Sequence, residues 1–238
     1  AARRLAEAFW PGPLTIVVER TPTCPVSRLA SAGLSSLALR VPSHPVALAL
    51  LKAFGGPVVA PSANASGRIS PTTAAHVRQS LGGKVDMILD GGPSRVGVES
   101  TVVQFRDDKA YLLRPGGLAR EDIESVIGET LLAPPGEQNL HSPGLLASHY
   151  APHATLRLNA SQPTAGEAFI GFGDVASGLF NLSPRGDLTE AAANLFRLMH
   201  EVDATGPASI AVAPIPDTGL GEAINDRLRR AAAPRDAS

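Results

Sequence analysis

Glycine and proline punctuate this chain so often that no long element can form. With 23 glycines and 21 prolines in 238 residues, the apolar runs are cut short, and the fold must be assembled from many brief strands and helices. Aromatic residues are 4% of the chain, so Val, Leu, Ile and Ala have to build the core. LTIVVE at Leu14–Glu19 follows a Pro-Gly-Pro breaker and reads as a buried strand; LALRV at Leu37–Val41 reads as another. Pro45–Phe54 reads as an apolar helix stopped by Gly55-Gly56. VVA at Val58–Ala60 and MILD at Met87–Asp90 read as short strands. Between them, Ser70-Pro71 predicts a helix running to Leu81, with a capping hydroxyl and a proline at its first position. STVVQF and YLLR pair as a hairpin across Asp107-Asp108-Lys109, and Arg120–Ile127 is a short helix.

Periodicity disappears from Gly128 to His153, a proline-rich stretch that reads as a linker or a lid. It restarts with TLRL, AFIGFG, a helix from Thr189 to Val202, SIAVAPI and a last helix near Gly221–Ala232. Strands alternating with helices predict an α/β protein, and the hairpin makes its first sheet mixed. The expected division is a first domain at 1–128, a linker or lid at 129–153 and a small α/β domain at 154–238.

The chain is 44% hydrophobic and 18% charged, with a formal net charge of -1. That composition fits a globular protein with no whole-chain electrostatic grip on nucleic acid. The charge is uneven. Residues 1–130 carry 14 basic and 11 acidic side chains, a balance of +3, and residues 131–238 carry 7 and 11, a balance of −4. The first part is the better binder of anions. A lone cysteine, Cys24, excludes an internal disulfide framework and is compatible with a reducing cytosol. No apolar run approaches the ~20 residues of a membrane span. The opening AARRLAEAFWPG has too short an apolar stretch for a signal peptide, interrupted by Glu7, and begins in what reads as the middle of a helix.

Several segments carry groups suited to chemistry. In VVAPSANASGRISPTTAAHV, small and hydroxyl-bearing residues lie between an expected strand and an expected helix. Such a loop can offer backbone N–H groups and hydroxyls to an anion, with Ser62, Asn64, Ser66 and Ser70 as ligands, or it can be an ordinary capped turn. Arg40 sits in an apolar strand, where a guanidinium needs either an acidic partner such as Glu99 or an anionic substrate group for its planar fork. Arg114 closes a strand at a Pro-Gly turn, a position that commonly lines α/β sites. DGGPSRVGVESTVV reads either as a close backbone approach to a ligand or as a long hairpin loop. His141, His149 and His153 invite a metal reading, but Pro152 spoils the helical spacing of the last two and no Cys or acid completes a pattern. Gly171-Phe172-Gly173-Asp174-Val175-Ala176 matches a loose dinucleotide fingerprint without a helix opening at Val175. Neither a G-x-S-x-G nucleophile nor a P-loop is present.

FWPGPLTIVV, LALRVPSHP, APSANASGRISPT, DGG, ESTVV, LLRPG and HSPGLLASHYAPHA occur in the order and spacing of one family. Together they resemble the threonylcarbamoyl-adenylate synthases (YrdC-like) in their long form. GDLTEAAANLFRLMHEVD and GLGEAINDRLRRAA resemble the additional C-terminal domain of that form. The resemblance implies a twisted mixed-sheet YrdC-like domain followed by a small Rossmann-like one. It implies an enzyme that makes threonylcarbamoyl-AMP and diphosphate from L-threonine, bicarbonate and ATP with Mg2+. It also implies a cytoplasmic location and a product passed to tRNA-modification machinery.

Position by position, the resemblance places Arg40 on the threonine carboxylate, the Ala60 backbone and Ser100 on the same substrate, and Ser62, Ser70, Arg114 and Tyr150 on ATP. Ser36 would border the nucleotide, Asn64 would shape the phosphate loop, and Tyr150 would bring the linker over the site as a lid. Because related domains bind double-stranded RNA, a non-catalytic RNA- or nucleotide-binding module is the competing expectation, with tRNA as a possible contact. The resemblance also implies a preceding segment whose Lys-x-Arg pair grips the triphosphate. No Lys-x-Arg occurs in these 238 residues. By themselves they are expected to release little or no pyrophosphate from threonine, bicarbonate and Mg-ATP, because the outer phosphates lack their clamp. Robust release in that assay would show the clamp to be dispensable.

Overall fold

β1 (Leu14–Glu19) is the strand around which the first sheet is built. It takes an antiparallel neighbour, β2 (Ser36–Leu39), on one edge and a parallel neighbour, β3 (Thr101–Arg106), on the other. β3 turns through Asp107 and Asp108, both at positive φ, into antiparallel β4 (Lys109–Arg114). Two successive left-handed residues give a turn whose twist matches that of the strands it joins. The resulting order, β2-β1-β3-β4, is the expected mixed sheet. Two helices, α1 (Ala2–Phe9) and α4 (Arg120–Ile127), supply Leu5, Ile123 and Ile127 to a core with Leu14, Ile16, Val103 and Leu112. The opposite faces of the same strands bury Val17, Val102 and Leu113. Between β2 and β3 lies α2 (Pro45–Phe54), which begins with a His44 side-chain cap and Pro45 and ends at Gly55 with φ 74°.

The structure is a computed structural model that describes residues 1–134, 149–175 and 180–234. It divides into two compact units, Ala1–Pro61 with Glu99–Ser142 and Ser62–Val98 with Pro143–Ser238. The second unit has its own sheet, made of β5 (Thr155–Arg157), β6 (Glu167–Gly171), β7 (Phe180–Asn181) and β8 (Ser209–Val212). All its pairings are parallel, in the order β5-β8-β6-β7. Parallel neighbours need crossovers; α5 (Leu188–Ala204) connects β7 to β8, and α6 (Leu220–Ala232) follows β8. Asp187 starts α5 by accepting from the Thr189 and Glu190 N–H groups at 2.7 and 2.9 Å. Those two bonds hold its carboxyl below the usual range. Leu195, Phe196, Met199 and Val202 of α5 and Ile224 and Leu228 of α6 form the core with Ile170, Ile210 and Val212, and Ile69 joins them. No helix among the described residues is long and apolar enough to cross a membrane.

Three local expectations are corrected. Segments 58–60 and 87–90 are not strands. Val58, Val59, Met87 and Leu89 are 47%, 67%, 75% and 55% exposed, and a run this short with no strand beside it leaves its backbone groups to water. The helix expected from Ser70 is α3 (Ala74–Leu81), because the Thr73 hydroxyl accepts from His76 N–H and sets the cap three residues later. β2 stops at Leu39, so Arg40 lies just beyond the strand.

The segment before β3 packs tightly on α5 at Gly97. Its φ is 76°, and a Cβ there would lie 2.2 Å from the Ala192 carbonyl oxygen and 2.5 Å from the Ala193 Cα of α5. Backbone cannot step aside as a flexible side chain can. Gly97→Ala is therefore expected to cost about 1–3 kcal/mol, seen as a lower midpoint in thermal or denaturant unfolding. An unchanged midpoint would mean that the segment before β3 packs less closely on α5.

Candidate active site

Ser100 lies at the centre of a hydrogen-bonded cluster in the first unit. It directly precedes β3 and is 5% exposed. Its hydroxyl is 2.7 Å from the Thr15 hydroxyl of β1. Arg114, the last residue of β4, donates through Nε and Nη2 to the Ser100 carbonyl at 3.3 and 3.0 Å, and through Nη2 to its hydroxyl at 3.3 Å. The close fit comes from the turn beyond β4. A Cβ on Gly116 would lie 2.4 Å from the Glu99 carbonyl oxygen and from the Thr101 nitrogen, so only glycine lets the two backbones approach this far.

Arg40 belongs to the same unit. Its Nε donates to the Gly12 carbonyl at 3.0 Å, and no carboxylate among the described residues pairs with it. Partial burial of the guanidinium and the like charge of Arg114 both lower its pKa. An arginine keeps its charge near neutral pH, which suits either residue to an anionic group. Ser36 lies on β2, half-buried and in register with Glu19, and Ala60 is exposed in the loop after α2. The expected pairing of Arg40 with Glu99 is not formed.

The other three candidates belong to the second unit. Ser62 is exposed, and Ser70 is 6% exposed. Between them, the Asn64 side chain donates to the carbonyls of Ala65 and Arg68 at 2.9 and 3.0 Å. Tyr150 is 1% exposed, with its ring 5.3 Å from that of Phe196 and the Arg227 guanidinium 5.3 Å from its centroid. Part of the expected lid, residues 135–148 with His141, lies outside the described residues. His149 stacks edge-on with the Tyr150 ring, centroids 4.0 Å apart, and His153 bonds to Asp203 at 2.8 Å. Among the described residues, no group of three or more His, Cys, Asp or Glu side chains is placed to hold a metal. In the loose glycine fingerprint, Gly171–Val175 lead from β6 into a turn, and Ala176 lies outside the described residues.

Sequence reasoning missed Thr15. Its only signal was a hydroxyl within an otherwise apolar strand. It missed His76 and His200 as well, because they are 124 positions apart and meet only in the folded unit, with ring centroids 4.0 Å apart.

A mixed sheet whose last strand ends in an arginine bonded to a buried serine, in a chain that also holds a parallel α/β sheet, defines a two-part α/β protein. A family model described as "Telomere recombination" matches residues 1–116, and one described as "Threonylcarbamoyl-AMP synthase, C-terminal domain" matches residues 118–233. The threonylcarbamoyl-AMP synthase of Pyrococcus abyssi is 39% identical over 97% of this chain and 73% of its own length. That of Bacillus subtilis is 38% identical over 98% and 73%. The crystal structure of P. abyssi Sua5 complexed with L-threonine superposes with a TM-score of 0.85 at 36% identity, covering 97% of this chain and 73% of that one. A variant of P. abyssi Sua5 with an adjacent histidine and tyrosine both replaced by alanine gives 0.81. The chain belongs to the threonylcarbamoyl-AMP synthase family.

The burial of Tyr150 changes which substitution is informative. Tyr150→Ala empties a packed site and should cost about 3–5 kcal/mol, as truncation of a buried aromatic does. It would therefore blur binding with folding. Tyr150→Phe keeps the ring on Phe196 and Arg227 and removes only the hydroxyl. A several-fold loss of ATP affinity in Tyr150→Phe, with the melting midpoint within a few degrees of wild type, is the expected calorimetric result for a ligand contact. Unchanged affinity would assign Tyr150 to the core alone.

Proposed function

We propose that these residues bind and align the substrates for threonylcarbamoyl-AMP synthesis. The threonine amine bonds to the carbon of bicarbonate-derived carbon dioxide and loses a proton, giving a carbamate. A carbamate oxygen then attacks the α-phosphorus of ATP. The bond to the bridging oxygen breaks, and diphosphate leaves with the electron pair. Catalysis of this kind consists of holding two anions in line and stabilising the charge that develops. Mg2+ enters with the ATP phosphates, and the product supplies the machinery that modifies tRNA.

The observation that supports this reading is Arg40, unpaired with any carboxylate among the described residues, in the same unit as Arg114 and the buried Ser100 that Arg114 bonds. Arg40 takes the threonine carboxylate through its fork. Ser100, already oriented by Thr15 and Arg114, meets the same substrate together with the Ala60 backbone. Arg114, Ser36, Ser62 and Ser70 serve ATP. His149-Tyr150 is the sole adjacent histidine–tyrosine pair in the sequence, and we read it as the counterpart of the pair replaced in the P. abyssi variant. The names of the relatives favour the synthase over a double-stranded RNA module.

Arg40→Ala should weaken L-threonine by about 2–5 kcal/mol, the usual loss for a desolvated charge pair, and ATP far less. Arg40→Lys should recover only part of the loss, because an ammonium cannot reproduce the fork. Separate titrations of the two ligands by calorimetry, with pyrophosphate release from the full gene product, decide the matter. Equal weakening of both ligands would make Arg40 a structural residue that holds Gly12.

A further inference from the structure

The segment that carries Ser70 is secured by packing and hydrogen bonds within the second unit. Ile69 is 5% exposed in a core with Phe196 and Leu195 of α5, and the Gly67 carbonyl accepts from Ala151 N–H at 2.9 Å. Two histidines complete the attachment. His200 of α5 places Nε2 3.2 Å from the Ser70 carbonyl. His76 of α3 stacks on it, centroids 4.0 Å apart and planes tilted 30°. The Thr72 N–H donates to His76 Nδ1 at 3.3 Å, and Thr72 is 5% exposed.

These contacts fix the protons. A carbonyl oxygen only accepts, so His200 Nε2 donates. A backbone N–H only donates, so His76 Nδ1 must present a lone pair. The Thr72 hydroxyl is also 3.3 Å from His76 Nδ1 and can accept from a protonated ring, but protonation leaves the buried Thr72 N–H without its acceptor. Protonating both rings brings two cations 4.0 Å apart.

We propose that His76 and His200 are positioning residues for the Ser70–Thr72 segment, with the Thr72 N–H held only while His76 is neutral. The nucleotide consequence rests on the reading of Ser70 as an ATP contact; the latch does not. The charged groups facing the pair are Glu201 and Asp203 of α5, with His153 bonded to Asp203. For His76, burial lowers the pKa from 6.5 against the pull of Glu201. For His200, burial and then His76 lower it from 6.5 against Ser70 and Asp203. A histidine whose folded pKa lies below its unfolded value contributes stability that is complete above the unfolded value. That contribution is lost as pH falls from 6.5 through the folded value.

The test is hydrogen exchange of the peptide covering Gly67–His76, in the chain as it stands, corrected for intrinsic rates at pH about 7.5 and about 5.5. Acid should reduce protection about three- to tenfold, the scale of one hydrogen bond. Glutamine can replace both roles without titrating, so His76→Gln with His200→Gln should keep the protection and lose its pH dependence. His76→Leu should lose protection at both pH values. Equal wild-type protection at the two pH values, or the same acid loss in the double glutamine variant, would overturn the latch. If the variants do not fold, histidine NMR titration of the wild type decides: His76 must titrate below 6.5, and a value at or above it overturns the proposal. Calorimetry with Mg-ATP separates the two readings. Affinity that falls with protection supports both, and affinity indifferent to it keeps the latch while removing Ser70 from the nucleotide site.

Discussion

The hydroxyl of Thr101 ties the first unit together. It is fully buried, donates to the Leu118 carbonyl at 2.6 Å and accepts from Leu118 N–H at 3.0 Å. Thr101 N–H donates to Pro13 at 2.9 Å, and Gly117 N–H donates to Glu99 at 2.8 Å. Three chain segments are thus fixed at the start of β3 by buried polar bonds, which are expensive to leave unmade. Ser100 inherits its position from this crossing, and Arg114 reaches it because Gly116 allows the turn to close. The acid- and phosphate-seeking groups sit on a rigid frame.

The legible parts of the fold were those with local causes. β1 follows from an apolar β-branched run after a breaker. α2 has the predicted bounds because its cap, its first proline and its stopping glycine all lie within the segment. The β3–β4 hairpin follows from its turn residues, and α4 from its periodicity. Expectations failed where the deciding partner was distant in sequence. Val58-Val59 and Met87–Leu89 have strand composition, but no strand lies beside them. Thr73 outcompeted Ser70 as a cap, while Ser70 was drawn into burial by His200, a residue 130 positions away.

The candidate site was legible chiefly through resemblance. Composition made Arg40 and Arg114 anion-seeking, and the structure brings them close enough to repel. Nothing local announced that Thr15 would orient Ser100, or that Tyr150 would be stacked in a core with Phe196 and Arg227. Nor does the sequence show why residues 62–98 pack with the C-terminal segment. That grouping depends on Gly97 against α5, Ile69 in the α5 core and Ala151 bonded to Gly67, each a long-range contact.

The two like-charge pairs in this protein meet the same electrostatic problem in opposite ways. Arg40 and Arg114 keep their charge near neutral pH, and the charge of Arg114 lowers the Arg40 pKa. On the proposed reading that lasting charge is offered to a carboxylate and a phosphate. The His76 and His200 ring centroids are 4.0 Å apart, but imidazole gives up its proton in the neutral range. Burial makes that the favoured outcome, and the neutral rings then serve as hydrogen-bonding parts. An arginine at either histidine position would carry a permanent cation and offer no lone pair to Thr72. A histidine at Arg40 would discharge and lose its hold on a carboxylate. The residue types are therefore not interchangeable between the two places: one pair is built to keep its charge for a ligand, the other to lose it for the fold.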